Sequence, residues 1–115
     1  MHELSIAGGI LSIVEDAAAR ERFAGISRLR LEIGVLAGID VHALRFALES
    51  IAPGTWLEGA DLVIEEPPGR AFCFGCGESV ELRVRGAACP DCGSYRLQPT
   101  GGLELRVVEL TVRDP

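Results

Sequence analysis

The residues with the most specific chemistry in the sequence are four cysteines, arranged as two Cys-x-x-Cys pairs. They are Cys73, Cys76, Cys89 and Cys92. Each pair places two thiolates on one tight turn, and two such turns provide the four sulfur ligands of a tetrahedral zinc site. Two disulfides would also use four cysteines, but they persist in oxidising compartments, and the first residues lack the features of an export signal. The spacing therefore favours a zinc site over disulfides.

A site with four thiolate ligands has no open coordination position, so it holds a fold together and performs no chemistry of its own. Residues 70–98 contain few large apolar side chains, too few to form an independent core. Metal binding supplies the missing free energy of folding in segments of this kind. The cysteines therefore explain how this segment folds, and they leave the function of the protein open.

The start of the chain carries a second set of metal-binding groups. The Met1 amine, the His2 backbone nitrogen and the His2 imidazole can close fused chelate rings around one ion. The next ligand is the Glu3 backbone nitrogen or the Glu3 carboxylate. Nitrogen-rich, square-planar or tetragonal coordination suits Ni(II) or Cu(II) better than Zn(II). The alternative is that His2 is an ordinary residue on a frayed terminus.

Few other side chains offer chemistry. The second histidine, His42, falls in the first turn of a predicted helix, where a histidine is usually solvated. The sequence has no G-x-S-x-G motif and no phosphate-binding loop, and Glu65 and Glu66 fall on opposite faces of a predicted strand. Because no catalytic constellation remains, we expect a protein that is not an enzyme.

The length and charge of the chain narrow its class further. With 115 residues, it is long enough for one domain and a small appendage. The formal net charge of -6 argues against nucleic acids and anionic membranes as partners. No apolar run reaches the length of a membrane-spanning helix, and we expect a cytoplasmic protein.

Hydrophobic periodicity predicts the elements that position these groups. Apolar residues at helical spacing predict helices over 8–24 and 41–52, the second with Asp40 as its N-cap. Leu4 and Ile6 are compatible with a first strand. Alternating apolar and polar residues predict three further strands, over 28–35, 60–66 and 103–113.

These elements predict an α+β fold, with a mostly antiparallel sheet, two helices and an inserted zinc-ribbon subdomain. The strand 103–113 cannot bury its apolar face within the cysteine segment, so we expect it to return to the main sheet. Pro67 to Gly69 and Pro99 to Gly102 are predicted linkers on either side of the insertion. The expected division is residues 1–69 with 99–115 for the α+β domain, and residues 70–98 for the ribbon.

Four features of the sequence occur together in one known family. In chain order these are Met1-His2-Glu3-Leu4-Ser5-Ile6-Ala7, a helix with Ile13-Val14-Glu15, the segment Leu31-Glu32-Ile33-Gly34, and the two Cys-x-x-Cys pairs. Together they closely resemble the HypA/HybF family of hydrogenase maturation proteins over essentially the whole chain. A double Cys-x-x-Cys alone is not specific, but its combination with this opening sequence is.

The resemblance implies a nickel metallochaperone, with Ni(II) as transient cargo and Zn(II) as a structural ion. Proteins of this family bind Ni(II) at the N-terminus and help a partner GTPase deliver it to the large subunit of a [NiFe]-hydrogenase. His2 is then the principal nickel ligand, with the Met1 amine and Glu3 beside it and Asp40 as a nearby carboxylate. The four cysteines become the structural zinc ligands, and the α+β domain becomes the nickel-binding domain. Whether the protein is a monomer or a homodimer stays open.

This chain departs from some family members at one position, and one other function stays open. Some members have a further histidine in the linker on the zinc side, where this chain has Gln98, which places a nickel ligand from that side in doubt. The alternative function is a zinc-ribbon module that binds protein or nucleic acid. Its support is a group of basic residues in the ribbon, namely Arg70, Arg83, Arg85 and Arg96. The acidic total charge weakens that alternative.

Overall fold

The computed structural model describes residues 2–115 of the chain. These residues form two helices and six strands. In chain order the elements are α1 (Glu3–Arg20), β1 (Gly25–Ile33), α2 (Val41–Ile51), β2 (Asp61–Glu65), β3 (Gly69–Cys73), β4 (Ser79–Leu82), β5 (Leu97–Gly101) and β6 (Leu105–Arg113). Neither helix is long and apolar enough to cross a bilayer.

The strands form two sheets of three strands each. The order is β2-β1-β6 in the first sheet and β4-β3-β5 in the second. In the second sheet β3 pairs antiparallel with both neighbours. Strands β1 and β6 are also antiparallel, since Ala24 N–H donates to Arg113 O near one end and Gly34 N–H donates to Glu104 O near the other. The α+β class and the return of the last strand to the main sheet are therefore confirmed.

Helix α2 begins at the predicted residue. The Asp40 side chain accepts a hydrogen bond from Ala43 N–H at 3.1 Å, as expected of an N-cap. The buried residues of the helix are Leu44, Ala47 and Leu48. The helix ends at Ile51, one residue before the predicted end, with Ala52 as its C-cap.

Helix α1 begins earlier than the sequence predicts. The predicted start at residue 8 and end at residue 24 are wrong, and so is a strand at Leu4 and Ile6, because α1 already begins at Glu3. The glycine pair Gly8-Gly9 favoured a later helix start. However, the buried residues of α1 are Ala7, Ile10 and Val14, which lie on one helical face. Burial of this face outweighs the poor helix propensity of two glycines.

The second sheet contains a strand that the sequence analysis treated as a linker. Strand β5 covers most of the segment from Pro99 to Gly102, and it places Pro99 opposite Ala71 and Leu97 opposite Cys73. Proline has no N–H to donate to a ladder, so it is tolerated mainly on edge strands. Because β5 is an edge strand of its sheet, Pro99 fits there.

The contacts of the chain divide it into two compact units. The first comprises Met1–Leu31, Ile39–Ile64 and Val107–Pro115, and the second comprises Glu32–Gly38 and Glu65–Arg106. The second unit has its own buried cluster, formed by Leu36, Ala71, Cys73, Val80, Leu82 and Cys89. This unit extends beyond residues 70–98, and the expected assignment of a function to each part of the chain stays a prediction.

Three chain segments of the second unit cross closely at Gly34, Gly69 and Gly102. A Cβ on Gly34 would overlap the carbonyl group of Gly102. A Cβ on Gly102, which has a φ of 83°, would lie 2.6 Å from the Gly69 Cα. Leu36 N–H donates to Gly102 O at 2.7 Å across the same crossing. The backbones therefore approach so closely that only glycine fits.

Candidate metal centre

The four cysteine sulfurs all lie within 4.8 Å of one another. The Sγ atoms of Cys73 and Cys92 are 3.6 Å apart, and those of Cys76 and Cys89 are 3.9 Å apart. Four sulfurs placed tetrahedrally at about 2.3 Å from a zinc ion would be about 3.8 Å apart. A disulfide requires about 2.05 Å, and all four cysteines are free. The cluster therefore has the dimensions of a tetrahedral metal site, and the donor set fits zinc.

The two Cys-x-x-Cys turns have the same backbone hydrogen bonds. In each, the first cysteine donates its N–H to the carbonyl five residues later and accepts from the glycine four residues later. The bonds are Cys73 N to Glu78 O (2.9 Å), Gly77 N to Cys73 O (2.8 Å), Cys89 N to Ser94 O (2.8 Å) and Gly93 N to Cys89 O (2.9 Å). The glycines have φ values of 73° and 78°, where other residues are strained. The sequence therefore builds one metal-binding turn twice.

One cysteine of each turn is anchored in the core of the second unit. Cys73 is the last residue of β3, and Cys73 and Cys89 are buried in the apolar cluster of that unit. Cys76 and Cys92 are exposed. Gly75 makes room for the second turn, because a Cβ there would lie 2.6 Å from the Ser94 Cβ. The second sheet thus fixes two ligands, and the turns bring the other two to them.

The protein environment separates the acidities of these thiols when no metal is bound. Burial disfavours the Cys73 thiolate, but hydrogen bonds from Cys76, Cys92 and Gly75 outweigh it and lower the pKa of Cys73 to about 7. The Glu78 N–H favours the Cys76 thiolate, but desolvation and the neighbouring cysteines outweigh that bond and raise the pKa of Cys76 to about 12. At neutral pH the Cys73 thiol is therefore partly ionised and can bind a metal ion directly. The Cys76 thiol ionises only when the metal displaces its proton.

His2 lies at the exposed N-cap position of α1. Its φ of 64° and ψ of 13° are left-handed, and it is the one residue other than glycine with a positive φ in the described part of the chain. Its side chain makes no capping hydrogen bond, whereas its carbonyl accepts the first helical bond, from Ile6 N–H at 2.9 Å. A ψ near zero makes the backbone nitrogens of His2 and Glu3 nearly eclipsed about the Cα–C bond of His2.

Glu3 and Asp40 lie next to each other, although they are 37 positions apart in the sequence. Glu3 Oε2 accepts a hydrogen bond from Asp40 N–H at 3.2 Å, which joins the first turn of α1 to the start of α2. The side chains of His2, Glu3 and Asp40 do not converge into a cluster, and within residues 2–115 the four cysteines alone form a metal-sized group of at least three His, Cys, Asp or Glu side chains. The remaining predicted nickel ligand, Met1, lies outside the described residues.

Two features of this region were missed by sequence reasoning. No local sequence pattern indicates the left-handed conformation of His2, because it depends on the path by which the backbone enters α1. The hydrogen bond between Glu3 and Asp40 is also long-range, and it depends on α1 beginning at Glu3 and not at residue 8. Gln98 lies in β5 opposite Phe72.

Comparison with protein families gives a match over residues 1–112 to HypA, described as hydrogenase/urease nickel incorporation, metallochaperone. Among curated proteins, a hydrogenase maturation factor HypA from Polaromonas naphthalenivorans is 60% identical over 114 residues, covering 99% of both chains. The factor of the same name from Cupriavidus necator is 62% identical, covering 99% of this chain and 96% of its own. The likeness therefore extends over both compact units.

Solved structures with the same fold also match the whole chain. The solution structure of the Ni metallochaperone HypA from Helicobacter pylori has a TM-score of 0.68 and 22% sequence identity, with 100% of both chains covered. A second solution structure, of HypA protein, has a TM-score of 0.65 and 23% identity over 97% of this chain and 96% of its own. At these identities the structural match supports the fold alone.

Proposed function

Because this chain belongs to the HypA family of nickel-incorporation metallochaperones for hydrogenase maturation, we propose that it binds Ni(II) at its own N-terminus and helps insert it into the large subunit of a [NiFe]-hydrogenase. The observation that carries this proposal is the backbone geometry of His2. The nickel ligands are the Met1 amine, the backbone nitrogen and imidazole of His2, and the Glu3 backbone nitrogen.

The torsion angles of His2 support chelation by backbone nitrogens. A five-membered ring through a metal ion and two successive backbone nitrogens requires these nitrogens to be eclipsed. The ψ of 13° at His2 meets that requirement more closely than the usual helical ψ of about −42°. Coordination at an amide nitrogen replaces its proton, which is released to solvent. The first N–H groups of a helix have no partner among the helical carbonyls, so coordination at the nitrogens of His2 and Glu3 breaks no bond of the helical ladder.

The side chains of Glu3 and Asp40 act beside these ligands. One Glu3 carboxylate oxygen accepts the Asp40 N–H, and one Asp40 oxygen accepts the Ala43 N–H. We therefore assign Glu3 as a ligand through its backbone nitrogen, with its carboxylate positioning the first turn of α1. Asp40 contributes a nearby negative charge that attracts the cation.

The site suits a cargo that must be released. His2 is exposed, so a competing ligand can reach its imidazole. Raw affinity favours Cu(II) over Ni(II), so the preference for nickel rests on the arrangement of the nitrogen ligands and on metal supply. A site at a chain start, with few side-chain ligands, exchanges its ion more readily than one enclosed in a core.

We assign the structural ion of the second unit as Zn(II), held by Cys73, Cys76, Cys89 and Cys92. The distances between their sulfurs and the all-thiolate donor set support this assignment. When bound, zinc supplies folding free energy to the three-stranded sheet that carries the two turns. It does no chemistry, since all four positions are filled by protein.

We propose that the protein acts as a carrier and not as an enzyme, in the reducing environment of the cytoplasm. Four free cysteine thiols kept as metal ligands favour such an environment. Its proposed partners are the nickel-handling GTPase of hydrogenase maturation and the hydrogenase large subunit. Light scattering of the zinc-loaded protein distinguishes a monomer from a homodimer.

A delivery assay tests this function. Nickel-loaded, zinc-loaded protein is incubated with the nickel-free large subunit and the GTPase, and nickel incorporation is followed by maturation of the large subunit. We expect incorporation with the native chain and none with His2→Ala. Equal incorporation by both proteins would contradict delivery from the N-terminus.

A further inference from the structure

Two glycines in α1 are not required by the fold. Gly8 and Gly9 lie in the helix interior, both are exposed, and a Cβ on either would have no heavy atom within 4 Å. Neither has a positive φ. In contrast, a Cβ on Gly34 or Gly75 would overlap neighbouring atoms. The usual packing and torsional reasons for glycine are therefore absent at Gly8 and Gly9.

The segment before these glycines has little apolar contact with the rest of the protein, although the bond from Asp40 N–H to Glu3 Oε2 links its first turn to α2. Between Glu3 and Gly9, Ala7 is the one fully buried residue, while Leu4 is 65% exposed. The large buried anchors of α1, Ile10 and Val14, come after the glycine pair. The first turn also lacks a side-chain cap. The first two turns of α1 therefore have little apolar burial to oppose unwinding.

From this we infer that Gly8 and Gly9 are positioning residues that let residues 3–9 unwind and thereby release nickel. The inference rests on the proposed nickel site. When the segment is helical, the bond from Ile6 N–H to the His2 carbonyl helps hold His2 in its left-handed conformation. Unwinding removes that bond, so the eclipsed nitrogens lose their arrangement and the chelate opens. The glycines set how often this happens.

The size of the effect follows from helix propensity. Replacing an exposed helical glycine by alanine favours the helix by about five-fold, and two such changes favour it by about 20-fold. Both positions have room for a methyl group, so the substitutions create no clash. The variant Gly8→Ala/Gly9→Ala should therefore keep the fold and open residues 3–9 about 20-fold less often.

The test measures opening and nickel release on the same full-length, zinc-loaded protein with a native N-terminus. Amide hydrogen exchange of Ile6 and Ala7 reports opening, and transfer of Ni(II) to excess EDTA reports release. For Gly8→Ala/Gly9→Ala we expect exchange and nickel release to slow together, by up to about 20-fold. Gly8→Ser/Gly9→Ser should show rates of exchange and nickel release between those of the native protein and the double alanine variant, since serine has an intermediate helix propensity.

Ser12→Ala is the matched control, because Ser12 is exposed in the same helix beyond the anchor Ile10. It should leave nickel release unchanged. Slower amide exchange with unchanged nickel release in the double alanine variant would overturn the inference, and so would unchanged amide exchange. If the native protein binds no nickel at its N-terminus, the proposed function fails instead, which His2→Ala identifies by leaving nickel binding unaltered.

Discussion

At the scale of single residues, the proposed nickel site depends most on the backbone of His2. A left-handed residue other than glycine is uncommon, although histidine adopts this conformation more readily than most. Here this conformation makes the backbone nitrogens of His2 and Glu3 nearly eclipsed, and the imidazole makes no capping hydrogen bond. Glu3 has a separate task, because its carboxylate accepts the Asp40 N–H. A single residue therefore has distinct roles for its backbone and its side chain.

The first prediction separates these two roles of Glu3. In Glu3→Gln the side-chain carbonyl still accepts the Asp40 N–H and the backbone nitrogen is unchanged, so we expect nickel affinity within about two-fold of the native value. In Glu3→Ala the hydrogen bond is lost, and we expect weakening of about five- to ten-fold, equivalent to about 1 kcal/mol. Isothermal titration with Ni(II) measures both. A large loss in Glu3→Gln would show that the carboxylate is a ligand.

The second prediction concerns protons at the cysteine cluster. Without metal, the raised pKa values of Cys76 and Cys92 keep both thiols protonated at pH 7, while Cys73, with a pKa of about 7, is about half ionised. Zinc binds thiolates, so binding at pH 7 should release more than about two protons from these three residues. Affinity should rise with pH, because fewer protons then have to be displaced.

Calorimetry in buffers of different ionisation enthalpy counts these protons. The control is the same titration at pH 9, where Cys73 is already ionised and the count should be smaller. A count that does not change with pH would contradict the thiol acidities inferred from the structure.

The helices and strands show which structural features can be predicted from residues that are close in the sequence. Helix α2 was predicted well because its cap, Asp40, and its apolar stripe are close in sequence. Helix α1 was predicted to begin too late, since Gly8 and Gly9 have poor helix propensity and the burial that overrides it is tertiary. Strand β5 was missed because Pro99 resembles a linker residue until its position on a sheet edge is known.

The candidate site was predictable to a similar extent. The spacing of the cysteines predicted one four-sulfur cluster, which the sulfur distances now bear out. The close approach of Glu3 and Asp40 came only from the resemblance, because no local pattern relates residues 37 positions apart. The glycine crossing of the second unit was also missed, since a sequence does not say which backbones cross.

The third prediction tests that crossing. In Gly34→Ala the new Cβ overlaps the Gly102 backbone, which cannot move without breaking the bond from Leu36 N–H to Gly102 O. We expect the free energy of unfolding of the zinc-loaded protein to fall by about 3 kcal/mol, as in overpacked cores. Urea unfolding followed by tryptophan fluorescence and circular dichroism provides the measurement.

Gly101→Ala is the matched control, because a Cβ there would meet Arg70 side-chain atoms at an ordinary 3.6 Å. It should change stability by less than about 0.5 kcal/mol. Equal stability of Gly34→Ala and Gly101→Ala would mean that the close crossing does not exist in solution.

At the scale of the whole molecule, the chain builds two compact units with different means of stabilisation. The first unit buries the apolar faces of α1 and α2. The second unit has a small apolar cluster, to which two of the cysteines themselves belong, so we expect it to depend on a bound metal for much of its stability. The proposed nickel ligands are in the first unit and the cysteines are in the second. Cargo and structural ion are thus assigned to separate units.

The most direct test of this account is a titration of Ni(II) into zinc-loaded, untagged protein with a native N-terminus, compared with His2→Ala. His42→Ala is the matched control, since it removes the other exposed histidine, in α2. We predict one equivalent of nickel bound by the native protein and by His42→Ala, and none at the same site in His2→Ala. Equal binding by the native protein and His2→Ala, or no binding by either, would contradict the nickel site at the N-terminus.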